Sequence, residues 1–288
     1  QTMQNLFFKR ILLVGFVLTL SIQSCTNLEE ELYSDITADN FFKTDEEFIA
    51  ALGQAYASFG GLGNHGNLWS MSEISSDELV ITTKGGDWYD GGIWLDIHRH
   101  TQTAANGPIK DTWNGGYNAI AQVNNSIENG GLNANLTAQA KVLRAYLHWR
   151  LLDLYGRIRY VDENGTSAQL SRSAGFARIE GEILSALGVA SVSAAMDLSG
   201  SALTTGDVKY RINQFAALGI LAKLYLNAEV YTGTARWQEA HDAADYIISN
   251  SSYRLSDSSV SVPNPSKRPA VSTDAESLTG YAAVFSPA

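Results

Sequence analysis

Between residues 44 and 250 apolar positions return every three or four residues over several separate stretches, which is the period of a helix with one buried face. Phe48, Leu52, Ala55 and Phe59 share such a face behind a Thr44/Glu47 capping box, and Gly60 and Gly61 are expected to stop that helix. Trp113, Tyr117, Ile120, Asn124 and Ile127 repeat the pattern until about Gly130 and Gly131. From about residue 137 to 155, Val142, Tyr146, Trp149 and Leu152 line one side and Leu143, Leu147, Leu151 and Leu154 another, so this helix is predicted to be interior and to end at Gly156. A weaker Ala/Ser-rich helix is predicted over residues 179 to 198, with Ile183, Leu187 and Ala190 at helical spacing.

The strongest pattern covers residues 210 to 253. Phe215, Leu218, Leu221, Tyr225 and Ala228 recur at three and four, while Ile220, Ala222, Leu224 and Leu226 make the other faces apolar. Gly233 closes that helix and Thr234 can cap the next, in which Trp237, Ala240, Ala244 and Ile247 line one face and Glu239, Asp242 and Asp245 the other. An early Trp and small Ala residues where two helices cross are the composition of a tetratricopeptide-type repeat, whose hairpins bury their faces by stacking on neighbours. The predicted fold is all-α, a tetratricopeptide-like array of helical hairpins.

One segment breaks the helical period. Residues 60 to 92 are rich in glycine and aromatics, with a possible short strand over residues 79 to 83. A glycine/aromatic-rich loop inserted in a helical protein points to function. Within the loop from Gly85 to Gly92, Trp88 or Tyr89 can offer a flat apolar face to a sugar ring, and Asp87 and Asp90 can accept hydroxyl hydrogen bonds. The alternative is that Trp88 plugs the core and the aspartates only form turns.

The N-terminus predicts a destination. Lys9 and Arg10 precede a ten-residue apolar run ending at Leu20, too short to span a bilayer and typical of a secretory signal. The chain's one cysteine, Cys25, follows in SIQSC and is the expected lipidation site. Residues 1 to 24 are thus read as a lipoprotein signal peptide, 25 to 255 as the helical domain, and 256 to 288, which holds four of the five prolines and a serine-rich stretch, as an irregular tail. The net charge of −10, without a Lys/Arg-rich run, argues against nucleic acid as a partner.

Signatures of common enzymes are missing: there is no H-E-x-x-H, G-x-S-x-G or P-loop. A glycosidase-type carboxylate pair drawn from Asp77, Glu78, Asp87 and Asp90 is the enzymatic alternative. His98 and His100 flank Arg99 without further ligands at metal spacing, which favours a structural role; no metal and no cofactor are expected. Arg144, on an otherwise apolar helix, is expected to be a buried or half-buried guanidinium bonded to carbonyls or a carboxylate, in a structural role.

Taken in order, Cys25, the DNFFKTDEEFIAAL helix, SSDELVITTKGGDWYDGG, Trp113/Tyr117 with Asn124 and Asn125, the AKVLRAY…LLDLYG helix and the AALGILAKLYLNAEVYTG…W-x-EA hairpin resemble the N-terminal half of SusD/RagB outer-membrane nutrient-binding lipoproteins over residues 25 to 255. The resemblance implies a non-catalytic protein, anchored in the outer membrane and facing outward, that captures oligosaccharides for a TonB-dependent transporter of the SusC type. Glu29 to Glu31, just after Cys25, resemble surface-export signals of Bacteroidetes lipoproteins. Three features depart from the family pattern: RIRYV follows Gly156 where a proline-containing turn is usual, the segment up to Arg178 is unusual, and the continuation after Leu255 is missing, so the chain reads as truncated or frame-disrupted near residue 256. A scaffold that binds only protein, or a non-functional fragment, are the alternative readings.

Overall fold

The computed structural model describes residues 44–63, 66–82, 85–128, 133–206 and 211–253. Contact density separates residues 1–40 from 41–288, and every described residue belongs to the second unit. The signal peptide, Cys25, Glu29 to Glu31, Thr83, Gly130, Gly131 and the tail lie outside the described residues.

Helix α1 (Asp45–Leu62) starts with the predicted capping box: Thr44 Oγ1 accepts from the Glu47 N–H at 3.3 Å, and Glu47 Oε2 accepts from the Thr44 N–H at 3.1 Å. Phe48, Leu52, Ala55 and Phe59 are its buried stripe. The helix passes through Gly60 and Gly61 and ends at Gly63, two residues later than expected. A helical glycine costs only about 1 kcal/mol. Phe59, set edge-on against Tyr146 at 5.1 Å, anchors this last turn.

After α1 come two short helices, α2 (Leu68–Ile74) and α3 (Ile93–His98), and then the long helices α4 (Gly107–Glu128) and α5 (Ala134–Tyr155). Packing is sequential: α1 lies on α4 and α4 on α5. The segment holding α2, α3 and the aromatic loop is therefore an insertion between the two helices of the first hairpin. Helix α5 is buried continuously from Val142 to Leu152, as its two apolar sides require, and stops at Gly156 with a left-handed φ of 72°. Two glycines set how closely its neighbours approach. A Cβ on Gly116 of α4 would sit 2.9 Å from Leu151 Cδ2, and one on Gly175, in the next helix, 2.9 Å from Leu152 Cδ1.

A β-hairpin that the helical reading did not foresee follows α5. Strand β1 (Ile158–Asp162) pairs antiparallel with β2 (Gly165–Leu170), from Ile158↔Leu170 to Asp162↔Gly165, with an irregularity between Arg159 and Val161. Ile158 and Tyr160 are buried and Arg159 is exposed, the alternation of a strand with one face on a core. Helix α6 (Arg172–Leu187) begins earlier and ends earlier than the predicted 179–198, because Ser171 caps it through the Ala174 N–H at 3.2 Å and Gly188, at a φ of 75°, terminates it. No strand forms over residues 79–82.

Helix α7 (Gln214–Leu226) packs on α6 and is buried on most sides, as expected; it breaks at Asn227 into the short α8 (Ala228–Thr232). Helix α9 (Trp237–Asn250) then packs along α7. Two expectations for α9 fail. Arg236, not Thr234, occupies the cap position, and Trp237 is 63% exposed while Asp242 and Ala243 are buried. The contact stripe is rotated by about one residue, to Ala240, Ala243, Tyr246 and Ile247. Leu226, Val230, Trp237 and Ile248 all remain exposed in this last hairpin.

Candidate functional site

The insertion has its own small core, in which Met71, Ile74, Trp94 and Ile97 are buried and Trp88, Leu79, Ile81 and Ile93 pack against them. It is tied to the scaffold by polar contacts. Arg150 of α5 donates through Nη2 to Ser72 Oγ at 3.2 Å and through Nη1 to Asp153 Oδ2 at 3.2 Å. Asn106 donates to the Ile93 carbonyl at 3.0 Å, and His98 Nδ1 lies 3.3 Å from the Ile74 carbonyl oxygen, which gives His98 the structural role expected of it. His100 is exposed; among the described residues no group of three or more His, Cys, Asp or Glu side chains could hold a metal ion.

The loop between these helices is backbone-strained. Trp88 has a φ of 58° and Asp90 one of 45°, both left-handed conformations costly for non-glycine residues, on the order of 1–3 kcal/mol each. Surrounding contacts hold them there. The Trp88 ring rests on Trp94 at 5.5 Å and a 44° tilt, and Trp94 Nε1 donates to Asp90 Oδ2 at 2.7 Å. Gly91 and Gly92, at φ 70° and 90°, complete the turn, which closes through the Gly92 N–H onto the Tyr89 carbonyl at 2.6 Å.

The consequence is a division of labour between two adjacent aromatics. Trp88 is half-buried as part of the insertion core, whereas Tyr89 is 50% exposed and its hydroxyl passes over Gly92, where a Cβ would sit 3.9 Å away. Asp87 and Asp90 flank them at the surface; one Asp90 oxygen is taken by Trp94. Asp77 and Glu78 are also exposed. Glu73, which the sequence reading did not single out, is buried close to Glu78, and burial together with the Glu78 carboxylate pushes its carboxyl above the ordinary range.

A second polar constellation lies between α5, α6 and the β-hairpin. Arg144, 2% exposed, donates through Nε to Glu182 Oε1 at 2.9 Å and through Nη1 to Glu163 Oε2 at 2.5 Å and Asn124 Oδ1 at 2.6 Å, with Nη2 also on Glu182. The Tyr160 hydroxyl donates to the other Glu182 oxygen. Burial pushes the Glu182 carboxyl up and Arg144 opposes it. His148, one turn along α5, stacks on Tyr160 at 4.0 Å; its Nε2 accepts the Val161 N–H at 3.0 Å, so its proton is on Nδ1, facing the Arg144 carbonyl at 3.0 Å. This network fastens the hairpin to the helices. Arg144 is thus buried against carboxylates, as its setting in the sequence predicted.

A model of the SusD-like family, described as starch-binding and associating with the outer membrane, matches residues 27–226. The chain belongs to the SusD/RagB family. A curated relative, SusD-like protein P2 of Formosa agariphila, is 28% identical over 162 residues, 54% of this chain and 31% of that protein. Among solved structures, a SusD homolog of Bacteroides thetaiotaomicron superposes with a TM-score of 0.58 at 18% identity, covering 78% of this chain and 44% of the other. Surface glycan-binding protein A of Bacteroides fluxus does so at 0.54 and 24%, covering 74% and 46%. The fold is therefore the tetratricopeptide-like helical one of SusD proteins. This SusD/RagB chain spans about a third of the curated relative and under half of either solved relative.

Proposed function

We propose that the chain is the loop-bearing N-terminal part of a surface lipoprotein that binds oligosaccharide, without catalysis, and passes it to a TonB-dependent transporter of the SusC type. Residues 1 to 24 are its signal peptide, Cys25 its lipid anchor in the outer membrane, and 25 to 255 its helical domain. The observation that carries the binding reading is the exposed Tyr89 ring, held between two residues of left-handed backbone on a turn flanked by Asp87 and Asp90. Strain of this kind persists only where surrounding structure enforces it, and it concentrates at ligand sites. A preset aromatic face with carboxylates at its rim suits a sugar, which offers a CH-rich face and hydroxyl edges. Family membership and the likeness to the surface glycan-binding protein of Bacteroides fluxus support the same reading.

A single platform with a few hydrogen bonds gives an affinity on the order of millimolar, about −4 kcal/mol. Tyr89→Ala is expected to weaken polysaccharide retardation in affinity gels roughly tenfold, the effect of about 1.4 kcal/mol, with the melting temperature unchanged. Trp88→Ala removes a half-buried ring from the insertion core and is expected to lower stability by about 2 kcal/mol. Undiminished retardation by folded Tyr89→Ala protein would refute the platform. Release of reducing sugar from the same polysaccharides would instead favour a hydrolase. For the anchor, cells labelled with radioactive fatty acid are expected to mark the wild type and not Cys25→Ser; equal labelling of both rules out lipidation there.

A further inference from the structure

The chain carries a net charge of −10, yet three exposed arginines gather where α5 gives way to β1 and α6 begins. Arg157 and Arg159 straddle Ile158, which is fully buried, so the two side chains leave the same outer face. Arg172 joins them from α6. Its Nη2 lies 3.0 Å from the position of a Cβ on Gly156, the residue before Arg157, where the negative end of the α5 dipole favours a cation. Among the described residues none of the three has an ion-pair partner, whereas Arg144, Arg150, Arg178 and Arg236 each meet a carboxylate. Exposed guanidiniums left unpaired in an acidic protein are available for anions from outside.

An aromatic strip adjoins the arginines. Tyr117 Oη accepts from the Arg159 N–H at 3.1 Å and donates to the Arg159 carbonyl at 3.0 Å, which holds α4 against β1. Trp113 stands 4.8 Å from Tyr117 and 4.8 Å from Tyr155, and all three rings are half-buried. Tyr155 also packs against the insertion core that contains Trp88. The strip therefore reaches from the arginines to the base of the aromatic loop.

We infer that this surface binds an anionic oligosaccharide, whose carboxylate or sulfate groups meet Arg157, Arg159 and Arg172 while a sugar ring lies along Trp113 and Tyr117. Guanidinium forks match the planar or trigonal oxygens of those groups and hold them bidentately, with a strength that neutral hydroxyls do not reach. The inference rests on the glycan-binding reading above and narrows it to acidic glycans.

The test runs the full chain in gels containing dextran, dextran sulfate or polygalacturonate. The wild type is expected to be retarded by at least one acidic polymer about tenfold more strongly than by dextran, and that excess should fall as NaCl rises from 20 to 500 mM. The triple variant Arg157→Gln, Arg159→Gln, Arg172→Gln should lose about tenfold of it, while Arg99→Gln, at an exposed arginine beyond α3, changes it little. Melting curves accompany every variant, and the salt dependence of the wild type stands even if the triple variant fails to fold. Retardation by dextran alone overturns this inference and leaves the glycan reading intact. Retardation by no polysaccharide removes both. Equal binding of the acidic polymer by wild type and a folded triple variant, or retention only on anionic phospholipid vesicles, also overturns it.

Discussion

Replacing Arg144 by Met is expected to lower the unfolding free energy by about 3–5 kcal/mol, since it leaves Glu182 buried without its cation. The guanidinium is 2% exposed, and all three of its nitrogens donate, to Glu182, Glu163 or Asn124. Loss of a charge partner inside the protein costs more than loss of a surface pair, because water cannot replace it. The hairpin turn at Glu163 and the α6 carboxylate at Glu182 should loosen together, so hydrogen exchange should rise over residues 158–170. Denaturant titration measures the stability, and a midpoint equal to that of the wild type would contradict this account. Adding Glu182→Leu to Arg144→Met should recover much of the loss, because an apolar pair removes the stranded charge. A double variant no better than the single one would assign the defect to packing rather than charge.

The helices were legible because their signals are local. The Thr44/Glu47 box, the Phe48–Phe59 stripe, the two-sided apolar α5 and the Gly156 stop all depend on residues within a few positions of each other, and each appears where the pattern puts it. The failures share a different origin. The period of its stripe alone puts Trp237 on a buried face, but which face of α9 meets α7 is decided by tertiary packing, and that selects Ala243. The β-hairpin escaped notice since β2, GTSAQL, has no buried residue and gains order only by pairing with β1.

The candidate site was readable to the level of the loop and no further. Trp88 and Tyr89 are neighbours of similar chemistry, and nothing in the sequence says which is presented. The backbone makes that choice: the left-handed φ at Trp88 directs its ring onto Trp94 and leaves Tyr89 outside. In the same way the arginine surface unites residues 157, 159 and 172 through the hairpin that the helical period could not foretell. Arg144 announced itself as a lone charge on an apolar helix, but its partners Glu163 and Glu182, 19 and 38 residues away, did not.

Acidification should destabilise the protein through His148, and the geometry fixes the sign. Its Nε2 already accepts the Val161 N–H, so a second proton there would break the bond that holds β1 to α5. Burial is the main force holding the imidazole neutral, and the Arg144 charge adds to it against the pull of the Arg144 carbonyl; the folded-state pKa falls to about 3 from 6.5. A base whose pKa is lowered on folding contributes its full stability above the unfolded value and loses it as pH drops toward the folded one. The window is therefore pH 6.5 down to about 3, and between pH 7.5 and 4.5 the loss from this group is about 2–3 kcal/mol. Two neighbouring acids bear on the sign: half-buried Asp162, held low by the Asn164 N–H and Arg178 against its partial burial, adds a loss only below its ordinary value of 3.8, whereas Glu182, pushed up by burial, opposes the loss. Comparison with His148→Gln isolates the histidine, because glutamine can accept from Val161 yet never takes up the proton. Urea titrations at pH 7.5 and 4.5 should find the wild type more stable than the variant at the higher pH and the gap closed by about 2–3 kcal/mol at the lower. Parallel pH dependences for the two proteins would mean that His148 is not the group being protonated.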